Sequence, residues 1–465
     1  MAALPMRRAA PTAAAAAAAL LLLLLPAASA AGPRCAIYNP VHFHLEVVAG
    51  AVNVLQQLTT EPVDVYLPEK VVKANWYGFL SWMGEMEDVR LIDSNNYDGV
   101  THYDLVWFIS PEFRPPALKM SVAEHVKATG EMIARMQAKV VMLMVHNGHL
   151  PEDVFNGVAS LATPGVPLLT LAPHVASSIA NRTRSPGWLL PTLPFAPAAP
   201  CALADVKAGR QCVRGFSVQG RIEKSRRNYT QVWEQIGGHK RHQRTSATAS
   251  NFKLNILGEL VEAFAVPVEV QDMVSVYKNP PYNVFYDVVA HSLGLVPMLA
   301  SDLYYKSKFS STVLTSLITG TPIIADQRLL DAYTMLDRST TYYQAPSQSE
   351  LDVMFAISKT PADELWRTRD AVVALRERLN SEARAMIKGW LEARGVSTVQ
   401  GPGARRKAIK RRRLAAAAAE AEAPGLPRRL GGDPAAWGPA AWGRLMLRGG
   451  SGGGGSRDAP RPSLR

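Results

Sequence analysis

The chain has 465 residues, of which 48% are hydrophobic and 19% are charged. This composition is typical of a globular protein and excludes a chain that is disordered throughout or spans a membrane many times. The net charge of +12 does not indicate nucleic-acid binding, because residues 401–465 carry 14 Lys or Arg against 4 Asp or Glu, Arg7 and Arg8 supply the rest, and residues 31–400 are balanced.

Residues 1–30 have the pattern of a secretory signal peptide. Two arginines precede an apolar Ala/Leu run, and the small residues Ala28-Ser29-Ala30 form a cleavage site. An uncleaved signal anchor is the alternative. No later stretch reaches the roughly 18 apolar residues that a membrane span requires. We therefore expect a secretory-pathway protein, in the ER or Golgi lumen or secreted, and the Asn-X-Thr triplets at Asn181 and Asn228 agree with this compartment.

Residues 31–185 alternate short β-branched or aromatic runs with helical stretches. This alternation predicts a parallel sheet covered by helices, forming an N-terminal α/β domain. The predicted strands cover residues 34–39, 63–67, 89–92, 103–109, 139–145 and 166–171, and the predicted helices cover 45–58 and 120–137.

A proline-rich connector is predicted over residues 186–214. It contains Cys201 and Cys212, which can pair and leave Cys35 free or paired elsewhere. A second α/β domain follows over 215–395, and residues 396–465 form a basic, low-complexity tail with the composition of a disordered segment. The second domain is predicted to have strands at 215–219, 252–257, 288–299 and 322–325 and helices at 226–236, 312–318 and 363–394.

The segment that follows the predicted strand at 215–219 is rich in arginine. Gly220 and Arg221 lie at the carboxyl end of the strand, and Arg227 follows near the predicted start of a helix. Two guanidinium groups over one helix N-terminus suit a diphosphate. Solvent-exposed arginines in a turn are the structural alternative.

A second anion-binding pattern lies at residues 304–326. Lys308, Ser310, Ser311 and Thr312 cluster at the start of an apolar helix, where hydroxyls and free backbone N–H groups suit an anion. Gly320 then begins a Gly-Thr-Pro turn into the strand at 322–325. Ordinary helix capping followed by a short loop is the alternative.

These motifs resemble the donor-binding domain of GT-B glycosyltransferases, most of all the retaining family 1 and family 4 types. The resemblance rests on Gly220, Arg221 and Arg227, and on the Gly320-Thr-Pro322-Ile323 turn after a helix. It covers roughly residues 35–395 and is clear for about 215–330. It implies an α/β fold of two Rossmann-like domains facing across a cleft, with a nucleotide sugar bound by the C-terminal domain.

The chain departs from this family at two positions. Family 4 members usually carry two glutamates eight residues apart before the Gly-Thr-Pro turn, and Ser307 and Thr315 occupy those positions here. The resemblance therefore does not decide between retention and inversion of the sugar. The stretch 288–297, with Ala290, His291 and Ser292, corresponds to the strand before the donor helix in that family.

The N-terminal half supplies candidates for acceptor chemistry. His146 ends an apolar strand, where members of the resembling family place a histidine that touches the transferred sugar. His42, His44 and Glu46 occupy the first strand-to-helix turn, and one of them could serve as general base. Glu112 is a weaker candidate of the same kind. Two structural alternatives remain open. His146 is then a loop histidine whose hydrogen bonds are satisfied within the protein, and residues 42–46 then cap the helix that follows.

The predicted function is transfer of a hexosyl or pentosyl group from a nucleotide-diphosphate sugar to a glycan, protein or lipid acceptor. No metal or other cofactor is expected, and the sequence has no Asp-x-Asp triplet. One alternative is an inactive carbohydrate- or nucleotide-binding protein on the same fold. Another is a protein held by its basic tail at anionic glycans or a membrane. No nucleic-acid partner is expected.

Overall fold

The computed structural model describes residues 32–83, 88–114, 119–183, 186–243 and 252–399. These residues form two parallel β-sheets with helices around them. The predicted signal peptide and residues 400–465 of the predicted tail lie outside the described residues. In the described part of the chain, no helix is both long and apolar enough to cross a membrane.

The first sheet has the strand order β3-β2-β1-β4-β5-β6-β7, and all its pairings are parallel. Strands β4 and β5 are buried at every position, which explains their continuous apolar sequence, because helices cover both faces of such a sheet. The strands are β1 (Cys35–Tyr38), β2 (Val63–Leu67), β3 (Val89–Asp93), β4 (Leu105–Ile109), β5 (Val140–Val145), β6 (Leu168–Thr170) and β7 (Gly187–Trp188).

The second sheet has the order β10-β9-β8-β11-β12-β13 and is also parallel. In both sheets the order reverses beside the first strand, as in the Rossmann fold. The predicted fold class, an α/β chain with two Rossmann-like halves, is confirmed. The strands are β8 (Phe216–Gln219), β9 (Leu254–Gly258), β10 (Val274–Lys278), β11 (Gly294–Leu295), β12 (Ile323–Ala325) and β13 (Thr341–Tyr343).

Helices connect most successive strands, but β3 leads into β4 without a helix, and the 3₁₀ turn Val268–Met273 lies between β9 and β10. A second 3₁₀ turn lies at Trp76–Gly78. The helices of the first half and the connector are α1 (Leu45–Leu55), α2 (Glu69–Ala74), α3 (Phe79–Met83), α4 (Val122–Met136), α5 (Glu152–Leu161), α6 (Pro173–Ile179) and α7 (Leu203–Lys207). Those of the second half are α8 (Tyr229–Gln243), α9 (Tyr282–Ala290), α10 (Leu303–Lys306), α11 (Ser311–Thr319), α12 (Gln327–Ala332), α13 (Glu350–Ser358) and α14 (Ala362–Glu392).

The two halves share one continuous hydrophobic core. It includes Trp107 of the first sheet, Ile323 of the second sheet and Leu379 of α14. The side chain of Asn380, also on α14, accepts the Thr192 N–H at 2.8 Å and donates to the Thr192 carbonyl at 3.0 Å. The long helix therefore ties the connector to both halves.

The predicted strand over 288–299 is wrong in its first half. Residues Tyr282–Ala290 form α9, and only Gly294–Leu295 pair as a strand. Val288 and Val289 favour a strand locally, but Tyr286, Val289 and Ala290 are buried on one face of the helix, so packing decides. Ala290, His291 and Ser292 thus end a helix and begin a turn.

The connector is partly built into the first half. Gly187–Trp188 pair with β6 as the seventh strand, and Cys201 and Cys212 form a disulfide around α7. Cys35 is a buried free thiol. The helix predicted from residue 226 begins instead at Tyr229, which leaves Arg227 in the turn before it.

Candidate active site

The start of α11 lies at the carboxyl edge of the second sheet, where ligands bind in open α/β folds. Ser310 precedes the helix, yet its side chain accepts no capping hydrogen bond from the first turn. The residue is 1% exposed, and its Oγ has no hydrogen-bond partner within the described structure. An unpartnered buried hydroxyl beside a helix N-terminus fits an anion better than a structural cap.

Arg227 joins the other predicted stretch to the same helix. Its Nη2 donates to the Gln219 carbonyl at 2.8 Å and lies 3.5 Å from Thr312 Oγ1. Gln219, the last residue of β8, donates through Nε2 to Ser311 Oγ at 3.3 Å and to Thr312 Oγ1 at 2.9 Å. The structure therefore brings together Arg227, Ser310, Ser311 and Thr312, as the sequence predicts for an anion site.

Gly220 makes room for this arginine. Its φ is 115°, and a Cβ built on it would lie 3.1 Å from Arg227 Nη2. A left-handed backbone and a neighbouring guanidinium both favour glycine at this position. The glycine at position 220 therefore has a local structural reason.

Arg227 is buried without a carboxylate partner among the described residues. It is 4% exposed, its hydrogen bonds go to two backbone carbonyls and one hydroxyl, and its Nε has no partner there. Burial lowers the pKa of the guanidinium from its usual value. Because an unpaired buried charge is costly, a bound anion would gain much from this position.

Three further residues predicted for the anion site make other contacts. Arg221 is exposed, and its Nε pairs with Glu259 Oε2 at 2.8 Å. The Lys308 Nζ lies 5.0 Å from the centre of the Tyr304 ring. Gly320 ends α11 with a φ of 68°, at the opposite end of the helix from Ser310. Nine residues of helix thus separate Gly320 from the free N–H groups beside Ser310, and its role in the anion site stays a prediction.

A cavity of about 790 Å³ lies beside Arg227, at the carboxyl ends of β8, β11 and β12. Its size is in the range of small-molecule sites, and its wall mixes aromatic and acidic groups suited to a base and a ribose. These wall residues are Tyr229, Trp233, Phe264, Asp326 and Glu350. The sequence reasoning missed them, although Asp326 directly follows β12 and the carboxyl-end rule points to it.

A second cluster lies at the carboxyl ends of β1, β4 and β5 in the first sheet. The His44 and His146 rings stack with their centres 3.6 Å apart and their planes 14° apart. His44 Nδ1 lies 2.9 Å from Ser110 Oγ. Glu112 Oε1 accepts the backbone N–H of His146 at 2.7 Å and lies 3.5 Å from His146 Nδ1.

Burial sets the protonation of this cluster. It raises the pKa of Glu112 to about 7 and lowers the pKa of His146 to about 3. Burial, and then the neighbouring His146, hold the pKa of His44 well below its usual value. At neutral pH both imidazoles are therefore uncharged, while Glu112 is near its own midpoint and able to exchange a proton.

Two further atoms of the cluster are available for chemistry. Glu112 Oε2 and His146 Nε2 are buried and have no hydrogen-bond partner in the described structure. A neutral imidazole with a free Nε2 and a carboxylate near Nδ1 can pass a proton between its two nitrogens. Glu112, the weaker candidate on sequence grounds, is thus as well placed as His146.

His42 and Glu46 do not join this cluster. His42 is half-buried and packs edge-on against Trp76, with ring centres 5.7 Å apart. Glu46 lies in the first turn of α1, where its Oε2 is 3.5 Å from the hydroxyl of Tyr282. Burial raises the pKa of Glu46. The structure therefore brings together only two of the four predicted catalytic residues.

The two halves meet directly at His146. The Phe309 N–H donates to the His146 carbonyl at 3.4 Å, and the Gly148 N–H donates to the Ser307 carbonyl at 2.6 Å. His146 is 5% exposed. The loop before α11 therefore contacts the backbone of His146, and the histidine is buried in this structure.

The described residues contain no group of three or more His, Cys, Asp and Glu that could hold a metal ion. The predicted independence from metal stays a prediction, since it concerns the reaction.

No family model and no curated protein matches this chain. Similar solved structures include a glycosyltransferase from Rickettsia africae ESF-5, at 11% identity and a TM-score of 0.49 over 77% of this chain and 99% of that one. They also include HepE of Anabaena in complex with UDP and glucose, at 10% identity and a TM-score of 0.46 over 76% of this chain and 100% of that one.

A third similar structure is the UDP-forming trehalose-phosphate synthase of Burkholderia xenovorans, at 11% identity and a TM-score of 0.45 over 77% of this chain and 99% of that one. The resemblance predicted from the sequence is to the same kind of protein. The two-sheet architecture follows from the strand pairing of this chain.

Proposed function

We propose that this chain is a glycosyltransferase that moves a sugar from a nucleotide-diphosphate donor to a hydroxyl of a glycan, protein or lipid acceptor. The observation that carries the proposal is the buried Arg227, without a carboxylate partner in the described residues, at the start of α11 and in the wall of the adjoining cavity. A diphosphate at this position would take the place of the missing carboxylate, and the cavity would hold the nucleoside.

The leaving group is the nucleoside diphosphate. As the bond from the sugar C1 to the phosphate oxygen breaks, negative charge grows on the diphosphate. Arg227, the Ser310 hydroxyl and the N–H groups at the start of α11 stabilise this charge, and fixed donors of this kind lower the barrier. The acceptor oxygen forms the new bond to C1.

The acceptor hydroxyl must lose a proton in this reaction. We assign its removal to His146 Nε2, while His146 Nδ1 passes its proton to Glu112. The 3.5 Å separation of His146 Nδ1 from Glu112 Oε1 and the pKa of Glu112 of about 7 support this order. His44 stacks on His146 and fixes its plane.

Substrate access requires the loop before α11 to move away from His146. The backbone pairing of residues 147–148 with 307–308 lies between the two clusters. A sugar bound between Arg227 and His146 would replace this pairing, so we propose that donor binding separates these segments.

A thermal-shift series on the full chain tests the proposal. UDP, the nucleotide in the HepE complexes, is the first ligand, followed by GDP, CMP and the corresponding nucleotide sugars. We expect one nucleotide to raise the melting temperature and its sugar to be transferred or hydrolysed. The absence of a shift with every nucleotide would remove the assignment of Arg227.

An inactive binding protein is the second candidate, and one observation favours it. Ser307 and Thr315 stand where the resembling family carries glutamates, and Thr315 is buried within α11. A thermal shift without transfer or hydrolysis of the donor would support this candidate. Turnover of the donor excludes it.

We also propose that the chain acts in the secretory pathway and without a metal ion. The sequence of residues 1–30 and the exposed Asn181 support the location. A loss of mass on treatment with an N-glycosidase would test the secretory location.

Turnover of the donor that survives EDTA would test independence from a metal ion. Release of a chain truncated after residue 396 from membranes would test the tail as an anchor.

A further inference from the structure

We propose that a second pocket, remote from the candidate active site, binds an anionic sugar unit. The pocket has a volume of about 680 Å³ and is lined by the amino ends of β5 and β6 and by the end of α14. Val140, the first residue of β5, lines it, whereas His146 follows the last residue of that strand. Because a strand rises about 3.3 Å per residue, the two sites are about 20 Å apart.

Two arginines give the pocket its charge. Arg182 and Arg394 both line it, and both are exposed. The Arg394 guanidinium lies against Gly165, where a Cβ would come within 2.3 Å of Nη2. The Arg182 guanidinium lies 3.8 Å from the centre of the Phe155 ring. Each cation is thus held in place by packing, which leaves its N–H groups for a ligand.

No carboxylate competes for these cations within the described pocket. Its described lining contains no Asp or Glu, and none of the ion pairs between described residues involves Arg182 or Arg394. By contrast, Lys388 on α14 lies 3.6 Å from the carboxylate of Glu392, one turn along the same helix. Two uncompensated guanidiniums in one concave site favour an anionic ligand.

The remaining lining favours a sugar as the carrier of that charge. The half-buried Trp390 presents an aromatic surface, and Thr163 and Thr183 supply hydroxyls. An indole packs against the C–H face of a pyranose ring, while hydroxyls and arginines bind its polar groups. A carboxylated or phosphorylated sugar satisfies all of these groups, whereas a neutral sugar leaves the arginines unused.

Titration calorimetry on the full chain tests this proposal without any assay of transfer. The probes are glucuronic acid, glucose 6-phosphate and glucose. We expect saturable binding of both anions and at least about tenfold weaker binding of glucose, because charge-assisted hydrogen bonds contribute that much. A tetrasaccharide that contains glucuronate distinguishes a unit within a glycan, which binds more tightly than the single sugar, from a free metabolite, which does not.

Three variants locate the binding. Arg182→Gln and Arg394→Gln should each weaken glucuronate binding about tenfold, and Arg338→Gln should leave it unchanged. Arg338 is a matched control because its guanidinium lies 3.9 Å from the centre of the Tyr343 ring, outside the pocket. Binding of UDP should be the same in all three variants, which separates this site from the proposed donor site.

Two results would overturn the proposal. One is the absence of saturable binding by either anion to the wild-type chain, and the other is unchanged affinity in both Arg182→Gln and Arg394→Gln. Since both side chains are exposed, we expect the variants to fold, and their thermal unfolding curves verify this. If one variant fails to fold, equal affinity of the wild-type chain for glucose and glucuronate still overturns the proposal.

Discussion

Arg221 and Arg227 lie six positions apart in the sequence but have opposite environments. Arg221 is exposed and paired with Glu259, whereas Arg227 is buried and makes no ion pair in the described structure. We expect Arg227→Gln to weaken nucleotide binding at least about tenfold and Arg221→Gln to change it less than about twofold. Calorimetric titration of both variants with UDP, or with the nucleotide that the thermal-shift series identifies, measures this. Equal losses in the two variants would contradict the assignment.

Glu112 offers a pH-dependent test. Burial raises its pKa from 4.5 to about 7, so the folded chain keeps a proton that the unfolded chain releases in this interval. The resulting stabilisation is complete below about pH 4.5 and is lost as the pH rises through about 7. Glu112→Gln is neutral throughout. Relative to wild type, its free energy of unfolding should therefore increase by about 3 kcal/mol between these limits.

Urea denaturation of both proteins at a series of pH values measures this difference. The lowered pKa of His146 makes the free energy of unfolding change with pH in the opposite direction. Its contribution to stability is present above about pH 6.5 and is lost as the pH falls towards about 3. This pH dependence occurs in both proteins and cancels in the comparison. Glu152→Gln, an exposed control, should show no such trend, and a flat difference for Glu112→Gln would refute the raised pKa.

A comparison of two serines at helix N-termini distinguishes a role in nucleotide binding from a role in helix capping. Ser310 and Ser349 both precede helices, but only the Ser349 hydroxyl accepts a hydrogen bond from the first turn, in a capping box with Asp352. We expect Ser349→Ala to cost about 1 kcal/mol of stability and to leave nucleotide binding unchanged. Ser310→Ala should do the reverse, because its buried hydroxyl has no partner to lose. Denaturation and nucleotide titration on each variant decide between the two patterns.

The sequence predicts the elements that are buried on both faces. The continuous apolar runs of β4 and β5 are typical of central strands in a parallel sheet. Strand β10 is not predicted from the sequence. It lies at the edge of its sheet, and its sequence mixes Ser275 and Lys278 with apolar residues. Helix α9 is misread because its valines favour a strand until tertiary packing is known.

The site is predictable to a similar degree. His146, Glu112 and Asp326 each follow a buried strand, so the rule for carboxyl ends finds them. The partner of Arg221 is 38 residues away in the sequence, and no local pattern links the two. The stacking of His44 on His146 likewise depends on the order of the strands in the sheet. Pairing across the fold therefore decides which candidates are available to a ligand.

At the scale of the molecule, the shared core predicts that the two halves unfold together. Trp107 and Ile323 belong to one hydrophobic cluster with the α14 residue Leu379. Asn380 strengthens this link through its two hydrogen bonds to the buried backbone of Thr192. Asn380→Ala would leave the buried Thr192 N–H unpaired, whereas the Thr192 carbonyl would keep its hydrogen bond from Asn53 Nδ2 at 2.8 Å. We therefore expect a loss of about 1–3 kcal/mol in the free energy of unfolding.

Differential scanning calorimetry of Asn380→Ala and of an exposed control, Asn95→Ala, measures both the loss and the cooperativity. We expect one transition in both proteins, at a lower temperature for Asn380→Ala, because a hydrogen-bond link is lost while the hydrophobic contacts between the halves remain. Two separate transitions would mean that this polar link, rather than the shared core, holds the halves together. In that case the site between His146 and α11 would also loosen, and nucleotide affinity would fall with the first transition.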